Sequence, residues 1–267
     1  MSIIFTIKRS LLILLPFLVV SPAQADNRTV PFKICYENVP QPPYYYGNST
    51  SIPLENPGIY IEISNFIAQE LNLTVSHIRA PWKRCLALLR ENSVDGLYGA
   101  SFKENRLLDG RYPMKKGILD KERRIVTKSY SLYKNKDAEI NWDGKTLTNA
   151  SAIIGAPLGY SIVPFLRGHG ADVETRWSTE LGLSLVSMGR ISSFAAQDPT
   201  ADAFLENEPE RFENVVKVFP TLQDKSYFMM ISHMFYEKET EISEDIWNKI
   251  SFFRTHRLPD LLKAYPK

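Results

Sequence analysis

The sequence predicts an α/β protein built of two lobes that two chain crossings join. Residues 31–98 alternate as strand, helix, strand, helix, strand, an order typical of a parallel sheet with right-handed crossovers. A similar alternation restarts near residue 152. A late strand and two closing helices, residues 226–265, have no room in the second unit, so we expect the chain to return to the first. The predicted boundaries are residues 26–127 and 228–267 for lobe 1 and residues 128–227 for lobe 2.

Hydrophobic periodicity places the elements of the first lobe. Phe32, Ile34 and Tyr36 alternate with Lys33 and Cys35, which is typical of a half-buried strand. Apolar residues recur at helical spacing after the Asn56-Pro57-Gly58 turn. The predicted strands cover residues 31–36, 73–78 and 94–98, and the predicted helices cover residues 59–71 and 82–90. Ligands of parallel sheets bind beyond the carboxyl ends of the strands, which directs attention to the loops after the first and third strands.

The second lobe shows shorter periodic segments. Gly159 frees a loop, Ser161 is placed to cap the next helix, and Pro164 suits its first turn. Gly189 marks the end of another helix. The predicted strands cover residues 124–133, 152–156, 170–177, 191–196 and 226–235, and the predicted helices start near Pro164 or cover residues 178–188, 242–253 and 258–265. Chain crossings between the lobes are expected near residues 126–134 and 225–230.

The first 25 residues resemble a secretory signal peptide rather than part of the fold. Lys8 and Arg9 form a basic start, residues 11–20 are apolar, and Ala23-Gln24-Ala25 is a cleavage site of small residues. The apolar run is about half the length that a membrane-spanning helix needs. We therefore expect an exported, periplasmic protein that begins after residue 25.

Charge and cysteine content narrow the function classes. Without Lys8 and Arg9, the 32 basic residues of the chain become 30 against 30 acidic ones, so the balanced charge argues against nucleic-acid binding. The four histidines lie far apart in the sequence and match no zinc spacing, and we expect neither a metal nor a cofactor. Cys35 and Cys85 would pair in an oxidising compartment if geometry allows, or remain buried thiols.

Three loops are candidates for ligand binding. After the third strand, Gly99 and Ser101 leave main-chain N–H groups accessible, and Arg106 could grip both oxygens of a carboxylate. Alternatively, Arg106 is a surface residue that pairs with Glu104 or Asp109. The proline-rich loop of residues 37–47 carries three tyrosines that either line a pocket or pin the loop to the surface. The helix start after Ser161 attracts anions or is a structural cap only.

Taken in order, these segments resemble the extracellular solute-binding proteins that capture polar amino acids for ATP-binding cassette importers, family 3 of such proteins. The resemblance implies a periplasmic-binding-protein fold of type II, with two hinge crossings and a cleft between the lobes. The matching segments are the proline-aromatic loop, Trp82, Val94-Asp95-Gly96, Ser101 with Arg106, Trp142-Asp143-Gly144-Lys145, Gly159-Tyr160-Ser161, Gly189-Arg190 and Tyr227-Phe228.

The resemblance also implies roles for particular residues. Arg106 would hold the α-carboxylate of the ligand with the backbone at Ser101, and Ser161 would meet the same group from the second lobe. Trp82 would offer a ring to the ligand side chain, with Tyr44 or Tyr45 opposite. The full set of expected ligand-binding residues is Glu37, Tyr44, Tyr45, Trp82, Ser101, Arg106, Tyr160, Ser161 and Asp198.

The sequence departs from that family where the ligand's α-ammonium is expected to bind. Ser192 stands where the family usually has Asp, and Gln197 stands where an acid should receive the ammonium. An unpaired ammonium in a closed cleft would cost about 1–3 kcal/mol or more. Either a shift of one residue brings Asp198 into place, or the ligand is not a standard α-amino acid.

The leading functional prediction is a monomeric binding protein for an amino acid or similar small carboxylate, without catalysis, that closes on its ligand and meets a membrane permease in a separate chain. A second hypothesis is an enzyme of the same fold, similar to dehydratases of cyclohexadienyl acids; Glu37, Glu180 and Asp198 are its candidate acids or bases. A third is a sensing subunit for a membrane receptor.

Overall fold

The structure is a computed structural model that describes residues 1–2, 28–150 and 152–265. The predicted signal peptide, residues 1–25, therefore lies outside the described residues except for its first two positions. Across the described part of the chain, no helix combines the length and the apolar character needed to cross a bilayer.

Strands and short and long helices alternate along the chain, as the periodicity predicts. The strands are β1 Val30–Glu37, β2 Leu73–Ala80, β3 Gly96–Ser101, β4 Met114–Lys115, β5 Ile118–Leu119, β6 Val126–Asn135, β7 Asn141–Trp142, β8 Leu147–Thr148, β9 Ile154–Gly155, β10 Val173–Glu174, β11 Ser193–Gln197, β12 Val215–Lys217 and β13 Gln223–Ile231. The α-helices are α1 Ile59–Leu71, α2 Trp82–Arg90, α3 Val163–Gly168, α4 Thr179–Ser187, α5 Asp198–Asn207, α6 His233–Lys238, α7 Thr240–His256 and α8 Leu258–Ala264. Short 3-10 helices cover Glu104–Leu108 and Lys121–Arg123.

Nine strands form one mixed sheet in the order β10-β9-β11-β6-β13-β3-β1-β2, with β12 beside β6. At one end, β1 is parallel to both β2 and β3. At the other end, β9 is parallel to both β10 and β11. The parallel pairs confirm the predicted α/β class, because helices cover the crossovers between them.

The two parallel ends are joined through the long strands β6 and β13. These two strands pair antiparallel with each other, while β13 also pairs with β3 and β6 also pairs with β11. Hydrogen bonding is therefore continuous across the sheet. The sequence predicted a separate sheet in each lobe. Instead, the two crossing strands, β6 of ten residues and β13 of nine residues, are long enough to pair with strands of both lobes.

Helices α1 and α2 have the predicted bounds because each has a strong apolar face and a defined end. Ile59, Ile63 and Ile67 of α1 are buried, and Asn72 ends that helix in the left-handed conformation. Helix α2 turns Cys85 and Leu89 towards the sheet. Helix α1 begins after the loop that follows β1, and helix α2 begins after β2. The first residue of α2, Trp82, therefore lies at the carboxyl edge of the sheet.

Candidate functional site

A small cavity of about 20 Å³ lies between the two parallel ends of the sheet. Its walls come from the loops after β1, β3 and β9, from the first turn of α2, and from β6, β11 and β13. It is lined by Glu37, Gln41, Tyr45, Tyr60, Trp82, Tyr98, Gly99, Ser101, Arg106, Tyr130, Tyr160, Ser161, Gln197 and Tyr227. The loops after the first and third strands thus meet at one site, and the loop after β9 faces them.

Arg106 is buried in the cavity wall, with only 5% of its surface exposed. Its Nη1 donates to the main-chain oxygen of Ser101 at 2.8 Å and to the Ser101 hydroxyl at 3.2 Å. Its Nη2 donates to the main-chain oxygen of Gly159 at 3.2 Å, so the guanidinium reaches the opposite half of the molecule. The alternative of a surface pair does not apply, since Arg106 is buried and Asp109 pairs with Arg90.

The backbone on either side of Arg106 is shaped by two glycines. Gly99, near the end of β3, has a φ of +79°, and a side chain there would lie 2.9 Å from the Tyr60 hydroxyl. Gly159 has a φ of +80°, and a Cβ atom there would lie 3.2 Å from the Trp82 ring. Both conformations favour glycine, and both bring bare backbone close to the cavity.

Two further cations strengthen the positive potential at this end of the site. Burial, together with the charges of Lys103 and Arg106, lowers the pKa of Lys225 to about 8. Burial and then Arg106 lower the pKa of Lys103 as well. The Lys225 ammonium donates to the main-chain oxygen of Ser161 at 2.8 Å. Mutual repulsion of this kind is relieved by an anion, which makes the Arg106 end of the cavity suited to a carboxylate.

Trp82 closes the wall beside Arg106. The Arg106 guanidinium lies 5.1 Å from the centre of the indole ring. Trp82 Nε1 and the Tyr60 hydroxyl are both buried and, within the described residues, have no hydrogen-bond partner. Buried donors are normally satisfied, so two unpartnered donors in one cavity wall indicate a polar guest.

Glu37 forms the other charged wall of the cavity. Gln41 Nε2 donates to its Oε2 at 3.0 Å and the Tyr45 hydroxyl donates at 3.3 Å, and the Tyr160 hydroxyl donates to the same oxygen. Tyr160 also accepts a hydrogen bond from Gln41. Burial raises the pKa of Glu37 to about 7, which these three donors and Lys128 oppose only in part.

Glu37 should make the protein less stable as the pH rises. Its pKa is about 7 when folded against an ordinary 4.5, so its favourable effect is complete below pH 4.5 and is lost through pH 7. Glu37→Gln removes the titrating group and with it this loss of stability. The free energy of unfolding of the variant, compared with that of the wild type, is therefore expected to rise by up to about 3 kcal/mol between pH 5 and pH 8. Urea denaturation of both proteins at the two pH values measures the difference.

A matched control for this measurement is Glu180→Gln, since Glu180 pairs with Arg211 at the surface. The neighbouring Tyr45 and Tyr160 have pKa values raised well above 10.0 and do not titrate in this range. Lys128 also faces Glu37 but is common to all the proteins compared. An unchanged pH dependence in Glu37→Gln would show that the burial of the carboxyl is not costly.

A polar network closes the floor of the cavity at β6, β11 and β13. Gln197 Nε2 donates to the hydroxyls of Tyr227 at 2.9 Å and Tyr130 at 3.2 Å. Gln197 Oε1 accepts from Lys128 Nζ at 3.1 Å. Burial lowers the pKa of Lys128 well below 10.5, and its Nζ lies 3.6 Å from the centre of the Tyr44 ring. Both ends of the Gln197 amide are therefore occupied by protein groups.

Seven of the predicted ligand-binding residues line the cavity, namely Glu37, Tyr45, Trp82, Ser101, Arg106, Tyr160 and Ser161. Tyr44 and Asp198 do not. Tyr44 is buried beneath Lys128, and Asp198 begins α5 and forms an ion pair with Lys217 at 2.9 Å. The strand that ends at Gln197 turns into a helix, so the Asp198 carboxylate points towards β12 instead of the cavity. Glu180 also lies apart, paired with Arg211.

The predicted cap at Ser161 is wrong, although Ser161 lines the cavity. Helix α3 begins one residue later, with Ile162 in the N-cap position and no side-chain cap. Pro164 does stand in the first turn, as predicted. The helix is only six residues long, so we attach no anion-binding role to its N-terminus.

Sequence reasoning missed five of the residues that line the cavity. They are Gln41, Tyr60, Tyr98, Tyr130 and Tyr227, whereas Gly99 was placed in a candidate loop and Gln197 at the expected ammonium site. Tyr130 and Tyr227 lie on the predicted crossings, which was a usable signal. Tyr60 and Tyr98 read as core residues because their spacing is that of a buried helix face and a buried strand.

Cys35 and Cys85 form a disulfide that joins β1 to α2, with Cα atoms 5.6 Å apart. Cys35 lies on β1 two residues before Glu37, and Cys85 lies on α2 three residues after Trp82. Among the described residues, no group of three or more His, Cys, Asp or Glu side chains could hold a metal ion.

No protein-family model and no curated protein matches this sequence. Solved structures do share its fold. A histidine kinase sensor domain with similarity to periplasmic binding proteins has a TM-score of 0.68 at 16% identity and covers 89% of this chain and 96% of its own. An ancestral arginine-binding protein bound to glutamine has a TM-score of 0.67 at 16% identity, covering 89% and 97%.

The GluR0 ligand-binding core from Nostoc punctiforme in complex with L-glutamate has a TM-score of 0.68 at 13% identity, covering 88% of this chain and 99% of its own. The chain therefore has the two-lobed fold of periplasmic binding proteins. These neighbours are binding proteins and a sensor domain rather than enzymes. At such identities the likeness concerns the fold, and the ligand must be argued from the cavity.

Proposed function

We propose that the protein is a solute-binding protein that captures an amino acid or a similar small carboxylate in the cavity between its lobes. The observation that carries the proposal is the position of Arg106, which is buried in one half and donates a hydrogen bond to Gly159 in the other. A carboxylate at this guanidinium would be bound by both halves at once. Ligand binding would therefore favour the closed arrangement of the lobes.

The lobe assignment extends this proposal. Residues 26–127 and 228–267 would form lobe 1, and residues 128–227 would form lobe 2, with β6 and β13 as the hinge. Both strands pass from one parallel end of the sheet to the other. Bending of both strands at the lobe boundary would let the two ends move as units.

The proposed setting is the periplasm, which the chain would reach through a signal peptide of residues 1–25. A monomer that closes on its ligand would then present a surface to a membrane permease of an ATP-binding cassette importer, in a separate chain. The balanced charge of the expected mature chain agrees with a small-molecule ligand and no nucleic acid.

One observation favours a sensing role as a second candidate. A histidine kinase sensor domain shares the fold over 89% of this chain. In that case the closed form would be recognised by a signalling receptor in place of a permease. The ligand site would be the same, and only the membrane partner would differ.

An enzyme of this fold has support from Glu37. A carboxyl group with a pKa of about 7 in a cavity could act as a general acid or base near neutral pH. Cyclohexadienyl acids are the substrates to test, because dehydratases for such acids resemble these binding proteins. Glu180 and Asp198, the other acids considered, lie in ion pairs away from the cavity.

Thermal melting of the purified protein against amino acids, oligopeptides and small carboxylic acids tests the proposal. A ligand present at 100 times its Kd should stabilise the protein by about 2.7 kcal/mol, because it binds the folded state only. The stabilising ligand should be recovered unchanged. Turnover of a cyclohexadienyl acid would contradict the binding role, and the absence of a shift with every carboxylate would contradict the proposed ligand class.

A further inference from the structure

The cavity has one charged side chain of each sign. Of the described residues that line it, only Glu37 and Arg106 carry a charge. Glu37 ends β1 and Arg106 follows β3, and these two strands pair side by side and parallel, so both residues lie at the same edge of the sheet. Arg106, Lys103 and Lys225 make one end positive. The lining of the cavity is therefore polarised from a cationic end at Arg106 to an acidic end at Glu37, and Lys128 faces Glu37 from beneath the lining.

The hydrogen bonds of Glu37 leave one oxygen for a ligand. Gln41, Tyr45 and Tyr160 all donate to Oε2. None of these three bonds uses Oε1. The three donors come from the proline loop of one half and from the loop after β9 of the other, so they fix the carboxyl group in place. A donor on the ligand would meet an oriented acceptor at Oε1.

The two positions where the family resemblance suggested an acid for the α-ammonium do not supply one. Gln197 is neutral, and both ends of its amide are bonded to Lys128, Tyr130 and Tyr227. Asp198 pairs with Lys217 outside the cavity. Glu37 is the remaining acid in contact with the site.

We infer that Glu37 receives the ammonium group of a zwitterionic ligand whose carboxylate lies at Arg106, so that the acid role falls on lobe 1 and not on Gln197 or Asp198. This inference rests on the proposed function and specifies its ligand class as amino acids rather than simple acids. The ammonium would bind Oε1, and the tyrosine and glutamine donors would keep Oε2 occupied. Both charged contacts would then come from the same lobe, and Gly159 and Tyr160 of the other lobe would close over them.

The test compares amino acids with the same molecules lacking the amino group. Isothermal titration of the purified protein would use L-phenylalanine with 3-phenylpropanoate, L-glutamine with 4-carbamoylbutanoate, and L-arginine with 5-guanidinopentanoate. For the pair that binds most tightly, the amino acid is expected to bind about 10-fold to 100-fold more tightly than its partner, as one charge-assisted contact allows.

The Glu37→Gln variant shows which residue is responsible for that preference. It is expected to remove most of the difference within the pair, because the ammonium of the amino acid loses its charged partner. Glu180→Gln, at an exposed ion pair, is the matched control and should keep the full preference. Binding of the simple acid by the variant shows that the variant is folded and that its carboxylate site is intact.

The outcomes separate this inference from the proposed function. If the simple acids bind as tightly as the amino acids, or if Glu37→Gln weakens both members of a pair equally, the inference fails while the proposed carboxylate-binding function stands. If no compound of either kind binds the wild-type protein, both fail. If Glu37→Gln loses the preference and Glu180→Gln keeps it, both the inference and the proposed function are supported.

Discussion

Arg106→Gln is expected to weaken carboxylate binding by about 30-fold to 5,000-fold, which corresponds to about 2–5 kcal/mol for a buried charge pair that loses one partner. The reason is geometric as well as electrostatic. The guanidinium is held by Ser101 on one side and Gly159 on the other, so its orientation in the cavity wall is fixed. Isothermal titration with the carboxylate that most raises the melting temperature measures the change.

Arg106→Lys separates charge from shape in the same experiment. Lysine keeps the charge but cannot form two parallel bonds to a carboxylate, so we expect an intermediate loss of affinity. The control is Arg111→Gln, since Arg111 is exposed and stacks on Tyr236 at 4.7 Å, away from the cavity. Wild-type affinity in Arg106→Gln would mean that the ligand does not use this guanidinium.

Removing the disulfide by the paired change Cys35→Ala and Cys85→Ala is expected to lower the free energy of unfolding by about 4 kcal/mol. The bond closes a loop across 50 positions of sequence, and chain-entropy arguments give about this value for such a loop. Both cysteines are fully buried, so alanine avoids leaving a buried hydroxyl group unsatisfied. Urea denaturation measures the loss.

The same variant should also bind ligand more weakly, because the disulfide connects the strand that ends at Glu37 with the helix that begins at Trp82. Reduced wild-type protein is the matched control, since it retains both sulfur atoms and lacks only the bond. It should resemble the alanine pair in stability and affinity. Equal stability of oxidised and reduced protein would contradict the bracing role.

The fold could be predicted where local patterns are strong. Helices α1 and α2 have the predicted bounds because their apolar faces and ends are encoded locally. The segment 226–235 was predicted as one strand, yet β13 ends at Ile231 and α6 begins at His233. The Ser232 hydroxyl caps that helix by accepting a bond from the Phe235 N–H, a signal that the apolar run concealed.

Helix α5 was not predicted; the sequence prediction ended a strand at residue 196 and placed no element at Gln197-Asp198-Pro199. Proline suits the first turn of a helix as well as a turn, and the structure uses it in the first way. The partner of Asp198 is Lys217, which is distant in sequence and arrives with β12. A local sequence pattern does not identify a partner that is distant in sequence. Whether the Asp198 carboxylate would face the cavity or point away from it could therefore not be predicted.

The loops that form the site could be predicted from the sequence, but the strand residues that line it could not. Ligands of parallel sheets bind at the carboxyl ends of the strands, so the sequence alone predicted that Glu37, Ser101 and Arg106 lie at one site. The tyrosines of the floor could not be predicted in the same way, because Tyr130 and Tyr227 become neighbours only when β6 and β13 pair. Their hydroxyls lie 2.9 Å apart across residues separated by 97 positions.

A crystal structure of the protein grown with the tightest-binding amino acid tests the central claim most directly. We expect one ligand molecule in the cavity between the lobes, with its carboxylate on the Arg106 guanidinium and its ammonium within hydrogen-bond distance of Glu37 Oε1. A ligand bound elsewhere, or an Arg106 side chain that points to bulk solvent with the cavity empty, would contradict it.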